Sequence, residues 1–430
     1  MKQERIDILK RILADSGASA WEITDVLEEG WEFYLIGTKL DQHRVRDVNH
    51  VRLKVFRPGE AEETVGTASG EIAPAADEHE MAAAVRNLLE DARYAVNPAW
   101  RLNTPSAQPD AETADCPSVD AVAADFLHAI RTLPAEKDAD INSSEIFVTR
   151  VTKRILNSEG LDVVDTYPVS MAEVVVNARD ASHEIELYRM MNSGACDTAA
   201  LQAELRRAMR FGRDKLAAAP TPALGTCDLV LSTDAAVEVY RWYEDHLNAA
   251  YKFQRYSDWE LGVPIADNAT GDRVTLTARR TLQNSSRNIR FDEEGAWTRN
   301  LVLLSENVPR AFFGARQFAQ YLGLENTFSA MNFEVSGGTA SADELRQGDF
   351  LEAVEFSDFQ VDSVSGDIAG EIRLGYLHQG GRILPVSGGS VSGCMSDFVP
   401  AMRFSREQAQ YNSRLIPAVT RLKNVTITGA

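Results

Sequence analysis

Cysteine is scarce in this sequence, with four residues among 430, and no two of them form a CxxC pair. The wide spacing of Cys116, Cys196, Cys227 and Cys394 indicates free thiols in a reducing compartment rather than a disulfide framework. Long apolar runs are also missing: no stretch approaches the roughly 18 residues of a membrane span, and the first residues lack the apolar core of a signal peptide. These absences predict a cytoplasmic protein that does not associate with membranes.

Basic residues are outnumbered: 44 Lys and Arg face 64 Asp and Glu, which gives a formal net charge of −20. Such a surface repels phosphate backbones and anionic lipids, so we expect no nucleic-acid partner. The rest of the composition, 44% apolar and 25% charged, is ordinary for a globular protein. At roughly 150 residues per domain, the length allows two or three domains whose cores need no metal or disulfide.

The common catalytic and metal-binding motifs are missing as well. His79 and His183 each precede a glutamate, but neither has the second histidine of an HExxH zinc motif. There is no GxSxG, no Walker loop and no GxGxxG, so the glycine-rich runs at 335–341 and 386–393 are predicted to be turns. FDEEG (291–295) groups three carboxylates, a possible cation site, although its composition favours an acidic turn.

Hydrophobic periodicity divides the first half of the chain into helices and strands. Apolar residues at helical spacing predict helices, whereas β-branched and aromatic residues alternating with polar ones predict strands. The predicted helices cover 3–15, 78–96, 119–133 and 197–219, and the predicted strands cover 31–39, 51–57, 63–70, 145–156, 161–176 and 183–191. The segment 104–118, with three prolines and many small polar residues, is predicted to be a loop.

Two prolines and a glycine at 220–225 end the last of these helices and predict a domain boundary. The predicted domains are 1–225 and 226–430. The second begins with a strand and one helix and continues with short strands and glycine-rich turns, most clearly over 359–388. We therefore expect the α+β class, with a mixed α/β N-terminal domain and a β-rich, barrel- or sandwich-like C-terminal domain.

The segment CDLVLSTDAAVEVYRWYEDHLNAA (227–250) resembles the core of the TldD/TldE family, in which TldE is also called PmbA. Other landmarks follow in the family's order: NSEGL (157–161), FDEEG (291–295), a glycine-rich strand pair at 359–383 and the closing segment 419–430. The resemblance spans nearly the whole chain and implies a PmbA/TldD-like fold. The family was once described as modulators of DNA gyrase and is now regarded as metallopeptidases.

TldD-like chains of this family carry HExxxH on the helix after the core strand, and a later cysteine completes their zinc site. Here the aligned segment is RWYEDH, so Arg241 takes the first histidine position, Trp242 takes the glutamate position, and only His246 remains. The later cysteine is missing from 405–419, and Cys394 falls too early. The resemblance thus implies a degenerate motif, with no catalytic residue, no metal and no cofactor in this chain.

An ordinary helix surface is the other interpretation of the same segment. Trp242 and His246 lie one helical turn apart, and Arg241 stands four residues before Asp245, the spacing of a surface ion pair. In that case His246 is a chance survivor with no functional role.

The resemblance implies a TldE-like, non-catalytic subunit of a heterodimeric zinc metallopeptidase that processes unfolded or leader peptides, with the zinc in a TldD-like partner chain. Extended peptides are expected to bind by adding a strand to a sheet edge. Two alternatives stay open. One is a stand-alone homodimeric peptide-binding protein without catalysis; the other is a peptidase with a relocated metal site built from His246, His378 or the carboxylates at 291–295. The net charge of −20 makes a direct role on DNA the least expected.

Overall fold

The computed structural model describes residues 3–107, 116–134, 136–324 and 327–430. Its helices are α1 (Gln3–Asp15), α2 (Glu78–Asp91), α3 (Val119–Arg131), α4 (Thr198–Leu216), α5 (Ala236–His246), α6 (Ala249–Phe253), α7 (Arg316–Tyr321), α8 (Ala342–Leu345) and α9 (Met395–Phe398). Its strands are β1 (Ala20–Ile36), β2 (Lys39–Pro58), β3 (Thr64–Ile72), β4 (Val96–Pro98), β5 (Ala139–Asn157), β6 (Asp162–Arg179), β7 (Glu184–Ser193), β8 (Ala219–Pro220), β9 (Gly225–Leu231), β10 (Leu276–Arg279), β11 (Leu301–Ser305), β12 (Val308–Pro309), β13 (Asn332–Val335), β14 (Phe350–Val361), β15 (Asp367–Gln379), β16 (Arg382–Ser387), β17 (Ser390–Cys394), β18 (Arg403–Phe404), β19 (Gln408–Tyr411), β20 (Arg414–Pro417) and β21 (Thr420–Thr428).

The N-terminal half is built on an antiparallel sheet of seven strands in the order β4-β3-β2-β1-β5-β6-β7. Helices α1 and α2 bury their apolar faces over β1, β2 and β3, while α3 and α4 cover β5, β6 and β7. The predicted meander is confirmed, but its strands are longer than predicted. Residues 20–30 and 40–50, which carry many charged side chains, extend β1 and β2 because each pairs with a neighbouring strand along that length.

The predicted helices at 3–15, 119–133 and 197–219 are confirmed as α1, α3 and α4, and α2 ends five residues before the predicted 96. A capping box between Asp77 and Glu80 fixes the start of α2, because each side chain accepts a hydrogen bond from the other residue's backbone N–H. Within the predicted loop 104–118, the described residues 104–107 and 116–118 have no regular secondary structure, and 108–115 lie outside the described residues.

The C-terminal half contains a small barrel. Strand β14 pairs with β9 and also with β15, so the five strands β14-β9-β21-β17-β15 close on themselves, and β16 and β8 extend the sheet beyond β15. This confirms the predicted β-rich, barrel-like architecture and the succession of strands over 359–388. A second sheet of six strands has the order β12-β11-β10-β13-β20-β19. The division of the chain into domains at residue 225 stays a prediction.

Helix α5 lies between these two sheets and contacts β14 of the barrel and β20 of the second sheet. The largest apolar cluster surrounds it and contains side chains from both, such as Leu229 and Ile372 of the barrel and Leu276 of the second sheet. In the described part of the chain no helix is long and apolar enough to cross a bilayer.

Candidate functional site

Most side chains of helix α5 are buried, because sheets cover the helix on both sides. Its partly exposed positions are Glu238, Arg241 and Asp245, which follow one another at spacings of three and four residues and so form a single stripe. The other positions of the aligned motif, Trp242 and His246, face the interior. The structure therefore separates the three motif residues into one surface residue and two core residues.

Arg241 is on the exposed stripe, with 45% of its side chain accessible. Its Nη1 lies 3.1 Å from Oε1 of Glu238, one turn earlier on the helix. The predicted ion pair with Asp245 is wrong, since Glu238 is the partner. Burial raises the pKa of Asp245 to about 6, with the charges of Arg241 and Arg414 opposing that rise.

Trp242 and His246 belong to an aromatic cluster with Tyr243 and Trp259. The centroid of the His246 ring lies 4.6 Å from that of Trp242 and 4.8 Å from that of Trp259, on which it stacks at 25°. Trp242 is 9% exposed and His246 is 5% exposed. The interpretation of these two residues as helix surface is therefore wrong: neither the spacing nor the composition of α5 shows that Trp259 packs over this face.

Four buried polar atoms of this cluster have no hydrogen-bond partner within the described residues. These atoms are both ring nitrogens of His246, Nε1 of Trp242 and the hydroxyl of Tyr243. Burial lowers the pKa of His246 to about 4, and the negative charge of Asp258 opposes this shift. The imidazole is thus neutral near pH 7.

A buried ion pair joins α5 to the second sheet. Arg414 on β20 donates from Nη2 to Oε2 of Glu244 at 2.8 Å and from Nε to Oε1 at 3.2 Å. Glu244 is 4% exposed, and burial raises its pKa against the opposing charge of Arg414. The arginine lies in the segment 405–419, where the family's zinc-binding chains were expected to carry their cysteine. Sequence reasoning missed this pair, although a glutamate on the buried face of a helix is a signal for a cationic partner.

A catalytic zinc ion needs three nitrogen, sulfur or oxygen ligands and one open position. Of the aligned residues, Arg241 offers a guanidinium on the exposed stripe, Trp242 offers no ligand atom, and His246 is enclosed by aromatic rings. Within the described residues, no three His, Cys, Asp or Glu side chains are grouped so that they could hold a metal ion. The side chains of α5 therefore do not fit a catalytic zinc.

The other candidate ligands lie in separate surroundings. His378 stacks on Phe350 with ring centroids 4.1 Å apart, and its Nε2 is 3.9 Å from Oε2 of Glu352. All four cysteines are free thiols, as predicted. The residues proposed for a relocated metal site are thus not brought together.

The segment FDEEG is a tight turn, as its composition predicts. Asp292 is 1% exposed, and its carboxylate accepts backbone N–H bonds from Glu294, Ala296 and Ser329. Burial raises the pKa of Asp292 to about 6 against these hydrogen bonds. One carboxylate oxygen accepts from the turn and the other accepts from Ser329, which gives Asp292 a structural role.

Comparison with known proteins relates the C-terminal half to a described family. Residues 225–429 match the family model described as the PmbA/TldA metallopeptidase C-terminal domain. No curated protein matches the sequence.

Solved structures resemble the chain over its whole length. TldE from Thermococcus kodakarensis is 14% identical with a TM-score of 0.78, covering 99% of this chain and 100% of its own. Two candidate modulators of DNA gyrase, from Thermotoga maritima and Bacteroides thetaiotaomicron, are 16% and 18% identical with the same TM-score, covering 100% of both chains in each case. At these identities the three structures establish the fold alone.

Proposed function

We propose, from the premise that residues 225–429 match the PmbA/TldA metallopeptidase C-terminal domain, that this chain is the non-catalytic subunit of a TldD/TldE-type zinc metallopeptidase. It would act on unfolded or leader peptides in the cytoplasm. One observation carries most of this proposal: Arg241 is exposed and Trp242 is buried on helix α5, and the resemblance aligns these two residues with the first zinc ligand and the general base. The partner would be a TldD-like chain that holds the zinc.

The chemistry of these side chains favours a non-catalytic role. Hydrolysis by a zinc peptidase requires a metal-bound water and a carboxylate that takes its proton. The guanidinium of Arg241 would repel a dication, and the indole of Trp242 accepts no proton. His246 is neutral and stacked on Trp259, so its ring serves packing.

Free strand edges support a role in holding extended peptides. Among the described strands, β7 pairs only with β6, and β3 covers only Val51–Pro58 of β2, which leaves residues 39–50 paired on one side. A peptide that adds to such an edge binds through its backbone, and that mode tolerates many sequences. Edges of this length also favour a lasting subunit interface, because open edges invite aggregation.

Co-expression with a TldD-like chain tests the proposal. We expect a stable heterodimer on sizing chromatography, zinc bound in the partner chain, and chelator-sensitive cleavage of a labelled unfolded peptide only when both chains are present. Cleavage by this chain alone would contradict the proposal. A homodimer that binds peptide but does not associate with the TldD-like chain would favour the stand-alone binding protein instead.

Restoring the motif should not create a peptidase. The double variant Arg241→His, Trp242→Glu would place a carboxylate among Tyr243, His246 and Trp259, where it has no partner. Loss of a buried tryptophan costs about 3–5 kcal/mol, so we expect a destabilised protein without chelator-sensitive cleavage. Arg241→His alone, on the exposed stripe, should leave the free energy of unfolding nearly unchanged. Chelator-sensitive turnover by the double variant would show that the site is still complete.

A further inference from the structure

A polar cavity of about 340 Å³ lies between helix α4 and the C-terminal barrel. Helix α4 contributes Arg207 and Arg210, the segment after β9 contributes Thr233, and the barrel side contributes Arg346, Glu352 and Tyr376. The volume is within the range of small-ligand sites, and such sites are common where two parts of a fold meet. The cavity lies at the segment leading into α5, and the proposed function does not use it.

Three carboxylates at or near this cavity already have partners. Glu352 accepts hydrogen bonds from Ser232 Oγ at 2.5 Å and from Arg346 Nη2 at 2.7 Å. Asp214 accepts the hydroxyl of Tyr376 at 2.5 Å. Glu204 is bound by two arginines, one of them Arg207. These acidic groups therefore have little capacity left for a ligand.

Several donors, in contrast, are left over. Within the described residues, the Nε of Arg207 and the hydroxyl of Thr233 are buried without hydrogen-bond partners, and Thr233 is only 5% exposed. Arg210 is exposed; it lies over the ring of Phe211 at 5.8 Å and makes no ion pair with any described carboxylate. A buried donor without a partner costs free energy that a bound acceptor would recover. The cavity thus offers donors to a ligand that brings acceptors.

We propose that this cavity binds the C-terminal carboxylate of a peptide, held by Arg210 and Arg207 with the hydroxyl of Thr233. The peptide nature of the ligand rests on the proposed function, whereas the preference for a carboxylate rests on the cavity. Guanidinium groups match the two oxygens of a carboxylate geometrically. A dianion such as phosphate fits less well, because the three arginines lining the cavity are balanced by Glu204, Asp214 and Glu352.

Calorimetric titration of the full chain with matched peptides tests the assignment. The probes are an N-acetylated alanine pentapeptide with a free C-terminal carboxylate, its C-terminal amide, and an amide whose central residue is glutamate. We expect the free acid to bind roughly tenfold or more tightly than the plain amide, the range for hydrogen bonds to a charged group. The glutamate amide should bind no better than the plain amide.

Two variants and a control locate the effect. Arg210→Ala should abolish the preference for the free acid, and Thr233→Val, which keeps the side-chain shape, should reduce it severalfold. Arg131→Ala, at an exposed arginine at the end of α3, should keep the full preference. Circular dichroism of each variant checks that the chain is folded. If one cavity variant does not fold, the other still tests the proposal.

Four results would overturn the proposal: no binding of the free acid, equal binding of acid and amide, a preference that survives Arg210→Ala, or inorganic phosphate binding more tightly than the peptide acid. A glutamate amide that binds as tightly as the free acid would assign the cavity to acidic side chains instead. The titrations use this chain alone, so failure to assemble with a TldD-like chain contradicts the proposed function without affecting them.

Discussion

His246 is a buried imidazole whose surroundings exclude its charged form. Its pKa is lowered to about 4 by burial, against an ordinary value of 6.5. The unfolded chain therefore binds a proton between pH 6.5 and pH 4 that the folded chain does not, and stability falls as the pH falls through this window. A shift of that size corresponds to on the order of 3 kcal/mol.

The variant His246→Phe should remove this loss, because phenylalanine keeps a ring between Trp242 and Trp259 but takes up no proton. In urea titrations its free energy of unfolding, relative to the parent chain, should rise as the pH is lowered from about 7 to about 4.5. His183→Gln is the control, since the His183 side chain is 75% exposed, and it should follow the parent. Equal acid sensitivity of His246→Phe and the parent would contradict the prediction.

Two arginines that pair with glutamates of helix α5 should differ sharply in their contribution to stability. Arg414→Ala removes the guanidinium that binds both oxygens of the buried Glu244 carboxylate, and breaking a buried pair typically costs about 3–5 kcal/mol. Arg241→Ala removes a surface pair with Glu238, for which about 0–1 kcal/mol is typical. Thermal and urea unfolding of both variants at neutral pH measure the contrast. Similar losses in the two variants would show that the Glu244 pair is not buried in solution.

At the scale of secondary-structure elements, local sequence predicted the longer helices and many of the turns. Helix α5 was predicted from its composition, and the turns on either side of β15 were predicted from their glycines. The burial of Trp242 and His246 could not be predicted, because it depends on tertiary contacts, such as those with Trp259, that the periodicity of α5 does not indicate. The long hairpin of β1 and β2 was underestimated for the same reason: its charged outer residues give no apolar alternation, and their strand structure comes from pairing.

The turn FDEEG should tolerate no side chain at its last position. Gly295 has φ +78°, and a Cβ there would lie 2.3 Å from Cδ2 of Leu161, which is itself buried beside Phe291. Gly295→Ala therefore adds overpacking, about 1–3 kcal/mol, to the cost of a left-handed alanine, about 1–2 kcal/mol. Thermal unfolding should show a loss equal to the sum.

Gly262→Ala separates the two contributions to this loss. Gly262 has φ +80°, almost the same backbone conformation, but a Cβ there would meet nothing within 4 Å. Gly262→Ala should therefore lose only the stability that a left-handed alanine costs, about 1–2 kcal/mol. Equal losses in the Gly262 and Gly295 variants would mean that Leu161 moves aside freely and that the turn is not tightly packed on the N-terminal sheet.

At the scale of the whole molecule, the two halves of the chain are joined by a polar seam. Lys153 of β5 lies 2.5 Å from Glu293, Asp165 of β6 pairs with Arg290, and Asn103 donates to the backbone oxygen of Glu294. These contacts join residues 125 to 191 positions apart. Leu161 is buried in one cluster with Phe291, so two landmarks that were recognised separately in the sequence, 157–161 and 291–295, pack against each other, a contact that no local pattern indicates.

Glu22 on β1 lies under this seam, and its charge should oppose folding near neutral pH. It is 6% exposed, and burial raises its pKa from 4.5 to about 7, with Asp292 and Glu294 adding to the rise and Lys54 and Lys153 opposing it. The folded chain then binds a proton between pH 4.5 and pH 7 that the unfolded chain does not. The stability gained from binding this proton is complete below pH 4.5 and is lost as the pH rises through 7. This pH dependence has the opposite sign to that of His246.

Glu22→Gln should therefore stabilise the chain at about pH 8 and lose the advantage on acidification. The full pKa shift is worth on the order of 3 kcal/mol, of which we expect at least a third to be recovered, because glutamine keeps the shape and removes the buried charge. Urea unfolding at about pH 8 and about pH 5 measures both effects. Glu29→Gln, on the same strand but 41% exposed and paired with Arg150, should change stability by no more than about 0.5 kcal/mol. A Glu22→Gln variant that is less stable than the parent at pH 8 would mean that the carboxylate forms a net favourable pair with Lys54 or Lys153, and that the seam is held by charge pairing at this point.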